Sequence, residues 1–232
     1  MVLLLSANCA SNAQTDSVQQ LLFNQIYSAA EKAYGMPREL MNGALYENEN
    51  QDVKGHPYFL DYYTNQGSVI YRGKRYSNLN LRYDIFDQQV LFIYLDNQVE
   101  YKLWLQKEFI TEFTVENRKF IYDTPGAEKE AKIYQVIGED GPVRVLYFRE
   151  KGLINLVAGN ADNKAYSEQK ETYILMDNRL LSYTGNRSFV RQFSAKDNTA
   201  IKKYLRKNNT RVKQATDAEM GLLVEYINTL TR

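Results

Sequence analysis

The sequence predicts an α+β fold: an N-terminal helix, a large curved antiparallel β-meander and two C-terminal helices packed on the sheet. Three observations carry that expectation. Residues 67–122 alternate apolar and polar side chains between short polar turns, as strands with one face in a core require. The chain holds 19 Tyr and 10 Phe in 232 residues, and aromatic side chains suit a half-buried pleated surface. Helix-start signals stand near both ends, at Ser17, Ser194 and Thr216.

Taken in order, Val2-Leu3-Leu4-Leu5 is apolar and small residues follow through Ala13. Residues 1–13 therefore read as a truncated signal peptide cleaved before Gln14, and residues 14–232 as a single domain. Cys9 invites lipidation, although Asn8 fits a lipobox poorly. Ser17 and Gln20 form a capping box, and Leu22, Ile26, Ala29, Ala30 and Ala33 follow at helical spacing. The pattern predicts a helix over 17–33, which Gly35 ends. Pro37 opens a short turn through Leu40 and Met41. Polar residues 47–55 read as a loop, and the aromatic run 56–63 as a strand.

Within the meander, Leu79, Leu81, Tyr83 and Ile85 point to one face and polar residues to the other. Val99–Leu105 repeats the pattern, with Trp104 joining Glu100 and Lys102 on the outer face. Between them Val90–Leu95 is apolar on both faces, as in a strand covered on two sides. Turns at Arg72-Gly73, Asp87-Gln88, Asp96-Asn97, Glu116-Asn117 and Glu139–Pro142 recur at the spacing of all-β folds. Further strands are expected at 143–148 and 152–157, then a polar loop at 158–170. A hairpin of 172–176 with 180–183 turns at Asp177-Asn178, and 188–193 reads as the last strand. Ser194 caps a helix over 195–207, and Thr216–Glu219 caps a final helix carrying Leu222, Leu223, Tyr226, Ile227 and Leu230.

Charge and composition exclude several chemistries. The net charge is +1, with 29 basic and 28 acidic residues, so no global field draws the chain to nucleic acid. No apolar run approaches the roughly 20 residues of a transmembrane helix, which leaves the mature chain soluble or peripheral. Cys9 is the only cysteine, and its removal with the signal leaves no disulfide and no thiol nucleophile. His56 is the only histidine, too few for a zinc site or, without a G-x-S-x-G elbow, for a serine triad. Gly73-Lys74 lacks the remainder of a phosphate loop, and neither Asp140-Gly141 nor residues 160–163 has an EF-hand register. The carboxylate pairs Glu108 with Glu112 and Asp84 with Asp87 have the residue types of glycoside hydrolysis, yet read as solvated surface. The sequence thus assigns no catalytic, binding or metal-ligating residue and no cofactor.

Two features carry more content. Lys196, Lys202, Lys203, Arg206, Lys207, Arg211 and Lys213 crowd one segment whose single acid is Asp197, a charge pattern that suits acidic headgroups or polyanions. The curved meander, closed by helices, has the form of a holder for an apolar ligand on its concave face.

Asn42-Gly43 with Tyr46, Gly55-His56-Pro57-Tyr58, Gly67, Tyr71-x-Gly73-x-x-Tyr76 and Tyr83-Asp84 resemble secreted, uncharacterised proteins of Bacteroidota. The C-terminal order of strand, basic helix and apolar helix is similar in those proteins. The resemblance implies a periplasmic or otherwise extracytoplasmic location and carries no activity across. The order of helix and curved sheet is also similar to that of periplasmic lipoprotein carriers. The functional expectation is a non-enzymatic cell-envelope protein, a binding or structural module that holds lipid or another envelope component. The alternative is a carboxylate-dependent glycan hydrolase, with exposed aromatics such as Trp104 facing the sugar.

Overall fold

In the computed structural model the described residues are 37–41, 43–47, 50, 52–61, 65–96, 98–126, 130–138, 141–156 and 163–230. The chain divides into two compact units, residues 1–42 and 43–232. In the first, helix α1 (Arg38–Met41) opens at the expected proline, with Leu40 N donating to Pro37 O at 3.0 Å. The expected helix over 17–33, the signal segment 1–13 and Cys9 lie outside the described residues.

The second unit is dominated by one antiparallel sheet of eleven strands. They are β1 (Ala44–Leu45), β2 (Gln66–Tyr71), β3 (Lys74–Asp84), β4 (Gln89–Asp96), β5 (Val99–Leu105), β6 (Ile110–Val115), β7 (Arg118–Asp123), β8 (Lys132–Ile137), β9 (Val143–Asn155), β10 (Lys164–Met176) and β11 (Arg179–Ser182). Three helices follow at the C-terminal end: α2 (Asn186–Val190), α3 (Ala195–Lys207) and α4 (Asp217–Leu230). The balanced α+β fold expected from the sequence is therefore corrected to a sheet-dominated one.

Three local differences account for much of that correction. The expected strands 143–148 and 152–157 are joined in one long strand over 143–155, because Gly152 pairs with Ser167 without a bulge, and 157 lies outside the described residues. Polar residues from Lys164 onward are a strand, not a loop. Ladder bonds run between backbone groups, so this solvated arm needs no apolar face to pair along β9. In the opposite sense, 188–193 is not a strand. Ser188 Oγ accepts from Thr184 N at 2.9 Å and Gly185 N at 3.1 Å, which starts a helix, and Phe189 and Phe193 then share its buried side.

The meander is also interrupted. The strand order is β1-β5-β4-β3-β2-β6-β7-β8-β9-β10-β11, so β6 returns to pair with β2 rather than β5. The four residues between β5 and β6 reach roughly 18 Å at full extension. A flat sheet would set those strands four spacings, or roughly 19 Å, apart and leave the end of β5 beside the wrong end of β6. The sheet must fold over, and β3 is where it bends. Residues 74–80 pair with β2 and residues 80–84 with β4, and Asn78, at the break in the β2 register, takes φ 57°, a left-handed conformation that Asn tolerates. The fold brings the Tyr83 ring centre to 5.4 Å from that of Phe113 and 5.2 Å from that of Phe120, although β2 lies between β3 and β6 in the ladder, and β2 and β6 between β3 and β7. Phe113 and Phe120 stack at 4.9 Å as a cross-strand pair, and all three rings are buried.

At the other end of the sheet, Val143, Val145 and Tyr147 of β9 face a core made with α2, α3 and α4 through Phe189, Ile201, Leu223, Val224 and Ile227. Leu146 points the opposite way, into a smaller cluster with Tyr134, Val136 and Leu175. Both faces are covered, as the continuous apolar run of β9 requires. Beyond Phe148 the β9–β10 hairpin extends past β8 as an arm, which the segment 52–61 straps at Lys54, paired with Ala165.

Of the aromatic run 56–63, the described residues 56–61 are not the strand that the composition predicts, and 62–63 lie outside the described residues. Pro57 has no N–H, and the carbonyls of His56 and Tyr58 both accept from Lys151 Nζ, at 2.8 and 2.7 Å. Lys151 thus takes the acceptors on the side away from β3, while Pro57 O and Phe59 N bond to Ile85 N and Tyr83 O of the β3 side. Among the described residues of the run, the pairing is the single bridge from Tyr58 to Asp84.

Candidate functional site

The strap, β7, β8, the β9–β10 arm and the start of α4 enclose an open cleft of about 870 Å³. Among the described residues its charged lining is four cations, Arg118, Lys119, Arg149 and Lys170, against two carboxylates, Glu168 and Asp217. Such a volume falls in the range of small-molecule sites.

Arg149 organises the cleft. Its Nε donates to Gln135 Oε1 and its NH1 to Glu168 Oε1, both at 2.8 Å, while NH2 stands 3.7 Å from Asp217 Oδ1. Asp217 Oδ2 also accepts from Gln135 Nε2 at 2.8 Å and from Arg118 Nε at 3.2 Å. Asp217 is the first residue of α4, where backbone amides favour a carboxylate. The guanidinium groups of Arg118 and Arg149 lie 5.7 and 5.1 Å from the centre of the Phe59 ring, which the strap carries into the cleft.

Lys170 differs from its neighbours. Its ammonium sits 4.4 Å from the centre of the Tyr147 ring, and no described residue gives it a hydrogen bond or an ion pair. Burial, then the nearby Arg149, lowers its pKa against the raising effect of Asp217 and Glu168. Tyr147 is pushed up to about 12, chiefly by burial, and so stays a neutral phenol.

A second cleft, of about 490 Å³, opens at the opposite end of the sheet beside β1. Tyr46, Glu47, Asn50, Asp87, Gln89 and Trp104 line it. A third, of about 370 Å³, carries Arg187, Lys202, Arg206 and Arg211, so part of the basic segment does gather, with all four side chains exposed. Lys196, Lys203, Lys207 and Lys213 are exposed as well and do not line it.

The residues singled out in the sequence are mostly placed elsewhere. His56 Nδ1 lies 3.4 Å from Lys151 Nζ and its Nε2 3.5 Å from Asp61. Glu112 is held by Lys119 at 2.8 Å and Arg75 at 3.0 Å, and Glu108 is exposed on the turn before β6. Asp84 is buried. It accepts from Tyr46 and, at 2.9 Å each, from the amides of Phe86 and Asp87. It is a turn-forming carboxylate, while the Asp87 side chain turns outward to the second cleft. Between Glu168 and Asp217 stands Arg149, where a hydrolase would need room for a sugar bond and water. Among the described residues no three His, Cys, Asp or Glu side chains gather as metal ligands, and no helix is long and apolar enough to cross a membrane.

Sequence reasoning missed Arg149, Lys170 and Asp217. The available signals were the cations in the arm, read as loop, and the acid at the start of the final helix. The chain matches no protein-family model, no curated protein and no solved structure.

Proposed function

We propose that the chain is a non-enzymatic binding module of the cell envelope whose ligand is a small molecule bearing a carboxylate or a phosphate. Lys170 carries this reading. It is a partly buried cation to which no described counter-charge bonds, inside a cleft whose described lining holds more cations than carboxylates. An anion there would relieve the cost of burying the ammonium and would form charge-assisted hydrogen bonds. Arg149 and Arg118 are already committed to Gln135, Glu168 and Asp217, and so hold the cleft open rather than collapse onto one another. Phe59 and Tyr147 offer ring faces for the remainder of the ligand.

An apolar ligand on the curved sheet has less support. Tyr83, Phe92, Phe113 and Phe120 are all buried and fill the space between the folded halves of the sheet. The envelope location rests on the apolar start at Val2–Leu5, the small residues through Ala13, and the resemblance to secreted Bacteroidota proteins.

Calorimetric titration with inorganic phosphate and with succinate tests the reading and separates the two anion types. Binding restores Lys170 toward its ordinary pKa, so at alkaline pH a proton is taken up and the heat depends on the buffer. Lys170→Met should abolish that uptake and weaken binding about tenfold, while Lys203→Met, on the exposed face of α3, should do neither. Equal binding by the Lys170→Met protein would remove the cleft from consideration.

A further inference from the structure

We infer that the second cleft, around Trp104, is a saccharide-binding site, independent of the anion cleft. A pyranose presents a face of C–H bonds and a rim of hydroxyls that both donate and accept. Its recognition needs an aromatic face beside planar acceptors and amides, with no excess of cations.

The cleft has that composition. Trp104 sits on β5 between Leu91 of β4 and Ala44 of β1, its register partners. Directly opposite residues share a face of the sheet, so Ala44 is the side chain next to the indole on the edge side. A methyl group cannot cover an indole, and the ring stays half-buried while Leu91 beneath the same face is fully buried. No described residue accepts from its indole N–H, which leaves a donor at the cleft. Around it, Glu47 and Asp87 supply carboxylate acceptors, and Asn50 and Gln89 supply carboxamides. No Lys or Arg is among the described lining residues, so an anionic ligand is disfavoured here, in contrast to the first cleft.

The floor of the cleft is fixed before any ligand arrives. Tyr46 donates its hydroxyl to the buried Asp84, whose other oxygen holds the amide of Asp87 at 2.9 Å. One buried carboxylate thereby positions two elements of the lining, and a site that needs little reordering binds at lower entropic cost. Gln89 Oε1 is covered and bonds to no described residue, an acceptor without a partner in the wall of the cleft. The volume of about 490 Å³ accepts a sugar unit with its neighbour in an oligosaccharide.

Trp104 is the only tryptophan in the chain, so its emission reports this cleft alone. Titration of the full chain with cellotetraose, maltotetraose and chitotetraose should give a saturable blue shift with at least one of them. Calorimetry should give the same affinity. Glu47→Ala and Gln89→Ala should each weaken it about tenfold, with an unchanged far-ultraviolet dichroism spectrum showing that the fold persists. Lys170→Met should leave it unchanged, which separates this site from the anion cleft. No saturable shift with any of the three sugars would overturn the inference. So would a shift produced by tetramethylammonium alone, which would make the cleft a cation site.

Discussion

Asn228 and Val143 are joined by two hydrogen bonds: the Asn228 Nδ2 donates to Val143 O, and Val143 N donates to Asn228 Oδ1, both at 3.0 Å. The carboxamide acts as a strand partner for the first residue of β9, from the buried side of α4. This contact ties the last helix to the sheet and so fixes Asp217, at the far end of the same helix, in the cleft. Gly141 makes it possible, since a Cβ there would lie 2.3 Å from Asn228 Nδ2. Asn228→Leu leaves a buried amide and a buried carbonyl without partners, and should cost about 2–4 kcal/mol in urea unfolding. A loss under about 0.5 kcal/mol, the scale of an ordinary surface substitution, would show that the helix is held by its apolar stripe alone.

Gly138 closes β8 against the same helix. Its φ is +75°, and a Cβ would stand 2.3 Å from Val224 Cγ1. Gly138→Ala should cost about 2 kcal/mol or more, combining left-handed strain with the clash. Adding Val224→Ala should relieve the clash and leave the strain. The double variant should therefore lose less than the two single losses added together, measured by the same unfolding curves.

Arg149 makes two hydrogen bonds and an ion pair to three residues through a rigid fork, which an ammonium cannot copy. Arg149→Lys should therefore behave nearly as badly as Arg149→Met. Each should lose about 1–3 kcal/mol of stability, and each should weaken phosphate binding as the cleft loses its shape. Full retention of both properties by the lysine variant would mean that net charge, not geometry, is what the cleft needs.

His56 has a pKa below its ordinary 6.5, chiefly because of burial and then because Lys151 and Arg82 are near, against the raising effect of Asp61 and the Tyr58 backbone. The unfolded chain thus binds more protons just below pH 6.5. The contribution is fully present above that pH and is lost as pH falls through the folded-state value. His56 is the only histidine, so one imidazole resonance titrates in a proton spectrum and gives the shift directly. The unfolding temperature should fall as pH drops below 6.5, and less steeply in His56→Gln. A resonance titrating above 6.5 would reverse the sign.

Much of the strand content was legible in residues 67–122 because alternation reports burial directly. Leu79, Leu81, Tyr83 and Ile85 are buried as their spacing requires, and the turns at Arg72-Gly73 and Asp177-Asn178 take the left-handed angles that hairpins need. The capping signals at Ser194 and Thr216 also act as read, with Ser194 Oγ accepting from Asp197 N and Thr216 Oγ1 from Glu219 N, each at 3.2 Å. These are local effects, decided within a few residues.

The sequence by itself therefore determined which residues turn, cap and alternate, and which chemistries lack their side chains. Tertiary structure decided the return of β6 to β2, the polar arm of β9 and β10, and both clefts. Each of those depends on pairing between residues far apart in the chain, such as Arg149 with Asp217 or Trp104 with Ala44. A ladder bond or an ion pair leaves no periodic mark on either partner, so spacing along the chain could not reveal which side chains would meet.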